Sequence, residues 1–158
     1  MYSVRLQNVA RISLIGLLLS ISLGRCNENF HAKYPDATAL QKAGSGARSW
    51  FPAPLPASAT DLEEWHNIDT NATVGRFRLD PRELPKFRQA LSSYRSREGV
   101  ASANLPMANV PDWPACLRGE VDASDISKCG FEAHRIEGFQ MVIDPKGIAY
   151  FWTADDRP

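Results

Sequence analysis

The chain has 158 residues, with 18 basic side chains balanced by 18 acidic ones, and three cysteines. It contains no Lys/Arg cluster, which argues against a nucleic-acid binder, since that would need a basic face. The length fits one compact domain.

Arg5 and Arg11 precede an uncharged apolar run from Ile12 to Leu23. A membrane-crossing helix needs roughly 20 such residues, and a shorter run suits the hydrophobic region of a signal peptide. Residues 1–25 are therefore expected to be a signal peptide, 26–34 a polar tether and 35–158 a single domain. The segment Leu23-Gly24-Arg25-Cys26 resembles the lipobox of bacterial lipoproteins, whose cysteine is acylated and becomes the mature N-terminus. Arg25 stands where that pattern has a small residue. Cleavage after Gly24, giving a soluble periplasmic protein, and an uncleaved anchor are the alternatives. Asn27 rather than Asp follows the cysteine, so the resemblance implies a lipoprotein facing the periplasm, with the outer membrane favoured over the inner.

Three is an odd number for an exported chain. With Cys26 lipidated, Cys116 and Cys129 remain as a pair in an oxidising compartment, where a disulfide persists. Removing residues 1–25 takes away Arg5, Arg11 and Arg25 and no acid. That leaves 15 basic against 18 acidic residues, a charge of −3.

In chain order, Asp36 to Ala43 reads as a short helix, with Asp36 as N-cap and Gly44 as terminator. Trp50 to Pro56 has three prolines and an extended path, pinned to the core by its aromatic and leucine side chains. Residues 59–68 and 73–79 are expected to pair as a hairpin across the Asp69-Thr70-Asn71 turn. Asp80-Pro81-Arg82-Glu83 opens the main helix, about 81–96, with Glu83 available to close a capping box. Pro85 conflicts with a regular first turn. Leu84, Phe87, Leu91 and Tyr94 form its core-facing stripe. Residues 113–130 hold Cys116 and Cys129 and show no sustained period. A second hairpin, about 137–143 and 148–153, turns at Asp144-Pro145-Lys146-Gly147, a type I composition. The expected fold is α+β: an antiparallel sheet of two hairpins packed on one main helix. Its core should gather Phe77, Leu79, Leu84, Phe87, Leu91, Phe139, Met141, Ile143 and Trp152.

The densest ionisable group is Asp61, Glu63, Glu64, His66 and Asp69. His66 with Glu64 or Asp69 could serve acid–base chemistry; the bland alternative is a solvated strand beside a turn. His31 and His134 are too distant in sequence for zinc-ligand spacing. Asn67-x-Asp69-x-Asn71 has Ala72 and Arg78 where a calcium loop requires Gly and Glu, so a hydrogen-bonded turn is expected. Asn71-Ala72-Thr73 matches a glycosylation sequon by chance in a bacterial context. No Gly-x-Ser-x-Gly or phosphate loop occurs, and neither a metal nor a cofactor is expected.

Leu55 to Leu62, Asp69-Thr70-Asn71 and Arg76-Phe77-Arg78-Leu79-Asp80, with Trp50 to Pro56, resemble a pattern in small uncharacterised bacterial exported proteins. That resemblance implies export and one domain, and no activity. The functional expectation is a non-enzymatic envelope lipoprotein, membrane-held through its lipid, with a structural role or an envelope protein partner; an immunity or inhibitor protein is one form. The alternative is a small hydrolase or metal-dependent enzyme centred on His66.

Overall fold

The structure, a computed structural model, describes residues 28–93, 97–98, 103–104, 110, 112–118, 120–121, 123–136 and 138–153. The expected signal peptide, Cys26 and Tyr94 lie outside these residues.

Nine strands are present among them: β1 (Asn29–Asp36), β2 (Thr60–Asn67), β3 (Ala72–Arg78), β4 (Arg97–Glu98), β5 (Ala103–Asn104), β6 (Glu120–Val121), β7 (Glu132–Ile136), β8 (Phe139–Ile143) and β9 (Ile148–Thr153). Four short helices accompany them: α1 (Ala37–Ala43), α2 (Ser45–Arg48), α3 (Leu84–Ser93) and α4 (Ala123–Lys128). Seven strands make one antiparallel sheet in the order β1-β2-β3-β9-β8-β7-β4, while β5 and β6 form a separate pair. The fold is mixed α/β in content, and strands outweigh helices.

Local chemistry explains the elements that were legible. The Asp36 carboxylate accepts from the Ala39 N–H at 2.8 Å, capping α1. Asn67 Oδ1 accepts from the Asp69 and Thr70 amides at 3.0 and 2.9 Å, closing the β2–β3 turn. Pro81 to Glu83 form a single 3₁₀ turn, so the regular helix starts only at Leu84 and Pro85 sits in its first turn, where no N–H is missed. Asp80 caps that turn, with its carboxyl held down at about 2 by Arg82. Glu83 does not close a capping box; Ser58 Oγ donates to its carboxylate instead.

Three expectations need correction. The stretch 26–34, read as a tether, contains most of β1, an edge strand paired with β2 from Asn29↔Asn67 to Asp36↔Thr60. Its side chains are mostly polar, and pairing along its inner edge holds it in place. The sheet also has more than two hairpins: β1 extends the first and β7 the second. Finally, Trp152 is buried on the other side of the sheet from the α3 stripe. The turn explains this. The Asp144 N–H donates to the Ile148 carbonyl at 2.9 Å, and Gly147 has φ +88°, so Pro145 to Gly147 make a three-residue loop. Compared with a two-residue turn, the register shifts by one, and a one-residue shift sends every side chain to the opposite face. Met141 therefore pairs with Phe151, and Trp152 pairs with Gln140.

The sheet has a core on each face. On one, Leu84, Phe87 and Leu91 of α3 pack with Phe77, Met141, Ile143 and Phe151, joined by Leu40, Phe51 and Leu62. On the other, Trp113, Leu117, Val121 and Ile126 cover Val74, Val142, Tyr150 and Trp152. The segment expected to be irregular thus forms a cap containing α4. Cys116 and Cys129 are joined by a disulfide across it, with α-carbons 6.5 Å apart.

Candidate functional site

Strand alternation sends consecutive acids of β2 to opposite faces. Glu64 and His66 stand on the α3 side, and Glu63 stands on the other.

Glu64 is 1% exposed. It lies across from Gly75 in the β2–β3 register. Its Oε2 is 2.7 Å from His66 Nδ1. Burial raises the Glu64 carboxyl above its ordinary range, and the hydrogen bond from His66 offsets only part of that rise. The Trp50 ring stacks on the imidazole at 4.0 Å and 9°, and Phe30 of β1 stacks on it at 5.2 Å and 14°. Phe30 itself is 45% exposed.

Asp69 does not join this pair. It sits on the exposed turn, where its hydrogen bond to Glu28 pushes the Glu28 carboxyl up. Of the candidates His66, Glu64 and Asp69, the structure brings together the first two. His134 is on β7, across β3, β9 and β8 from β2. Its Nε2 lies 2.9 Å from Glu132 Oε1, outside hydrogen-bonding geometry. Among the described residues, no group of three or more His, Cys, Asp or Glu side chains is placed to hold a metal.

The opposite face carries a second cluster that sequence reasoning did not single out. Glu63 is 6% exposed. Its Oε1 lies 2.9 Å from His31 Nε2 and 2.6 Å from Lys33 Nζ, and its Oε2 accepts from Arg76 Nε at 3.0 Å. Burial alone would raise this carboxyl, but hydrogen bonds from Lys33, His31 and Arg76 outweigh burial and hold it low. His31 stacks on Trp65 at 4.5 Å. The sequence signal was the period-two phase: Glu63 shares a face with Arg76 and Arg78 once β2 and β3 are paired. The cluster still required β1, which composition had hidden.

Between Thr60 and Glu63 the register slips, and Asp61 adopts φ +49°. This β-bulge opens a concavity of about 390 Å³ lined by Lys33, Tyr34, Asp61, Glu63, Arg76 and Arg78, among others. Arg78 Nε donates to Asp61 Oδ2 at 3.1 Å on its rim.

Residues 28–78 match the family model of the YbbD head domain. That match spans β1 to β3 with α1 and α2, about a third of the chain, and points to a small bacterial protein family. Both carboxylate clusters lie inside it. No curated protein and no solved structure matches the chain.

Proposed function

We propose that this protein is a non-enzymatic lipoprotein of the bacterial envelope, held at the membrane by lipid on Cys26, whose domain binds a protein partner. The observation that carries the binding reading is the aromatic platform at one end of the sheet. Phe30 and Ile68 are the two large exposed apolar side chains among the described residues, at 45% and 52%. They are tied to one end of the β1–β2 pair by the Ile68 N–H donating to the Glu28 carbonyl at 3.1 Å. Phe30, His66 and Trp50 extend this apolar surface inward as successive stacked rings. Partly exposed aromatic surface with a polar rim is what protein interfaces use.

A photo-crosslinking side chain at Ile68, with one at Lys86 of α3 as control, tests the reading in intact cells. A discrete adduct from position 68 alone is expected. Equal yields from both positions, or none, would refute it. The anchor is tested separately by mass spectrometry of the mature N-terminus, where a diacylated or triacylated Cys26 is expected and a free Arg25 or intact Met1 would refute it. Cys26→Ser should then release the domain from membranes, since each buried lipid methylene contributes ~0.8 kcal/mol.

The second reading, a small hydrolase around His66, draws on the 2.7 Å contact between His66 and Glu64. A buried carboxylate that orients an imidazole is an element of acid–base sites. A hydrolytic activity abolished by His66→Gln in a folded variant would favour it over the binding reading.

A further inference from the structure

The bulge-lined concavity on the cap-side face uses charge in a way that the aromatic platform does not. Lys33, Arg76 and Arg78 stand around it with two carboxylates, Glu63 and Asp61, so the lining side chains leave one positive charge over. Glu63 fixes the geometry. It is buried, and Arg76 spends Nε and one terminal nitrogen on a single Glu63 oxygen, at 3.0 and 2.8 Å. The planar guanidinium is thereby held rigid, and Arg76 lines the concavity with N–H donors that Glu63 does not use. Lys33 spends one of its three donors on Glu63, and its side chain is 66% exposed, free to swing toward an occupant. Arg78 is half-exposed and paired only with the exposed Asp61. Pro35 and Ile148 add apolar wall beside these cations. A bulge with a non-glycine residue at positive φ is a device that re-aims side chains next to binding sites.

We infer that this concavity is a binding site for a small organic monocarboxylate. The carboxylate is held by Arg76, Lys33 and Arg78, and the apolar body lies against Pro35 and Ile148. The single excess charge matches a monoanion, and the pairing of cations with an apolar wall selects an organic anion over an inorganic one. Binding here is independent of the partner proposed for the Phe30–Ile68 surface, on the opposite face.

The test titrates the isotope-labelled full chain with hexanoate, hexanamide and inorganic phosphate and follows backbone amide resonances. Hexanoate should shift the amides of residues 33–34, 61–63 and 76–78 saturably at concentrations up to about 20 mM, a range that reports millimolar affinity. Hexanamide should leave them in place, and phosphate should bind more weakly than hexanoate. Arg78→Gln and Lys33→Met, both at exposed positions, should each weaken hexanoate roughly five- to tenfold, the loss expected for one charge-assisted hydrogen bond. Unshifted resonances elsewhere would show the variants to be folded. The inference is overturned if hexanoate fails to saturate, if hexanamide or phosphate binds as well, if the shifts fall outside the concavity, or if both folded variants bind like the wild type.

Discussion

Glu63 and Glu64 are neighbours in the chain, yet their carboxyls are driven in opposite directions. Glu63 is held below its ordinary value of 4.5 by Lys33, His31 and Arg76 despite burial. Glu64 is raised above 4.5 by burial, which His66 only partly offsets. The difference arises because one acid meets Lys33, Arg76 and an imidazole on its face and the other meets one imidazole.

This opposition predicts opposite linkage to pH. A carboxyl lowered by folding releases its proton more readily in the folded state, so the Glu63 contribution is present above 4.5 and lost as pH falls through its folded value. For Glu64 the sign reverses: its contribution is present below 4.5 and lost as pH rises through its raised value. Urea midpoints between pH 3 and 8, taken as about the usable range of such titrations, should show the wild-type advantage over Glu63→Gln fading with acid. The gap between wild type and Glu64→Gln should move in the variant's favour as pH rises. Parallel curves for all three proteins would contradict the assignment.

Phe87 anchors α3 to the sheet, edge-on to Phe77 at 6.1 Å between ring centres, and is 4% exposed. Phe87→Ala should cost about 3–5 kcal/mol by chemical denaturation. A loss under about 1 kcal/mol would mean that the helix does not depend on this contact.

The disulfide closes the cap over Val142, Tyr150 and Trp152. Leu117, Val121 and Ile126 lie between its two cysteines and make part of that apolar contact, while most of the other loop residues are polar. Replacing both Cys116 and Cys129 by Ser should lower stability by about 2–5 kcal/mol. Helices α1 and α3 should keep their amide shifts, because they pack on the opposite face of the sheet. An unchanged melting temperature would show that the cap is held by packing alone.

Gly75 allows the backbone of β3 to lie against its neighbours. A Cβ there would come within 2.6 Å of the Glu63 carbonyl oxygen and collide with the Phe151 ring. Gly75→Ala should therefore destabilise by about 1–3 kcal/mol, as overpacking does. Adding Phe151→Leu to the same chain should recover part of that loss; failure to recover any would assign the whole effect to the Glu63 backbone.

Much of this architecture was legible because its signals are local. Asp36 and Asp80 cap helices through bonds to residues two or three positions away, and Asn67 closes its turn in the same way. Leu84, Phe87 and Leu91 follow a helical period that needs no knowledge of the partner face. What escaped depends on distant partners. β1 is polar in sequence because His31 and Lys33 are placed by Glu63, 32 positions along from the histidine. Trp152 was assigned to the wrong face because one extra loop residue, Gly147, changes the register of an otherwise recognisable hairpin. His66 and Glu64 could be paired by their spacing on a strand, whereas the rings of Phe30 and Trp50 reach them only after the sheet has formed.

The register Val74↔Trp152 joins two halves of the sheet that are about half the chain apart. The first half can form its meander from residues 29–78, but its β3 edge stays open until Ile148–Thr153 arrives. Forming that seam is a non-local step, the kind that slows folding, and in a chain delivered N-terminus first it must wait for residues 148–153. During the interval β3 offers an unpaired edge, which another chain can occupy. The β8–β9 hairpin of a second molecule presents the same pairing groups to that edge as the molecule's own, so a strand-exchanged dimer would trade residues 139–153 and reproduce the β3–β9 seam of the monomer.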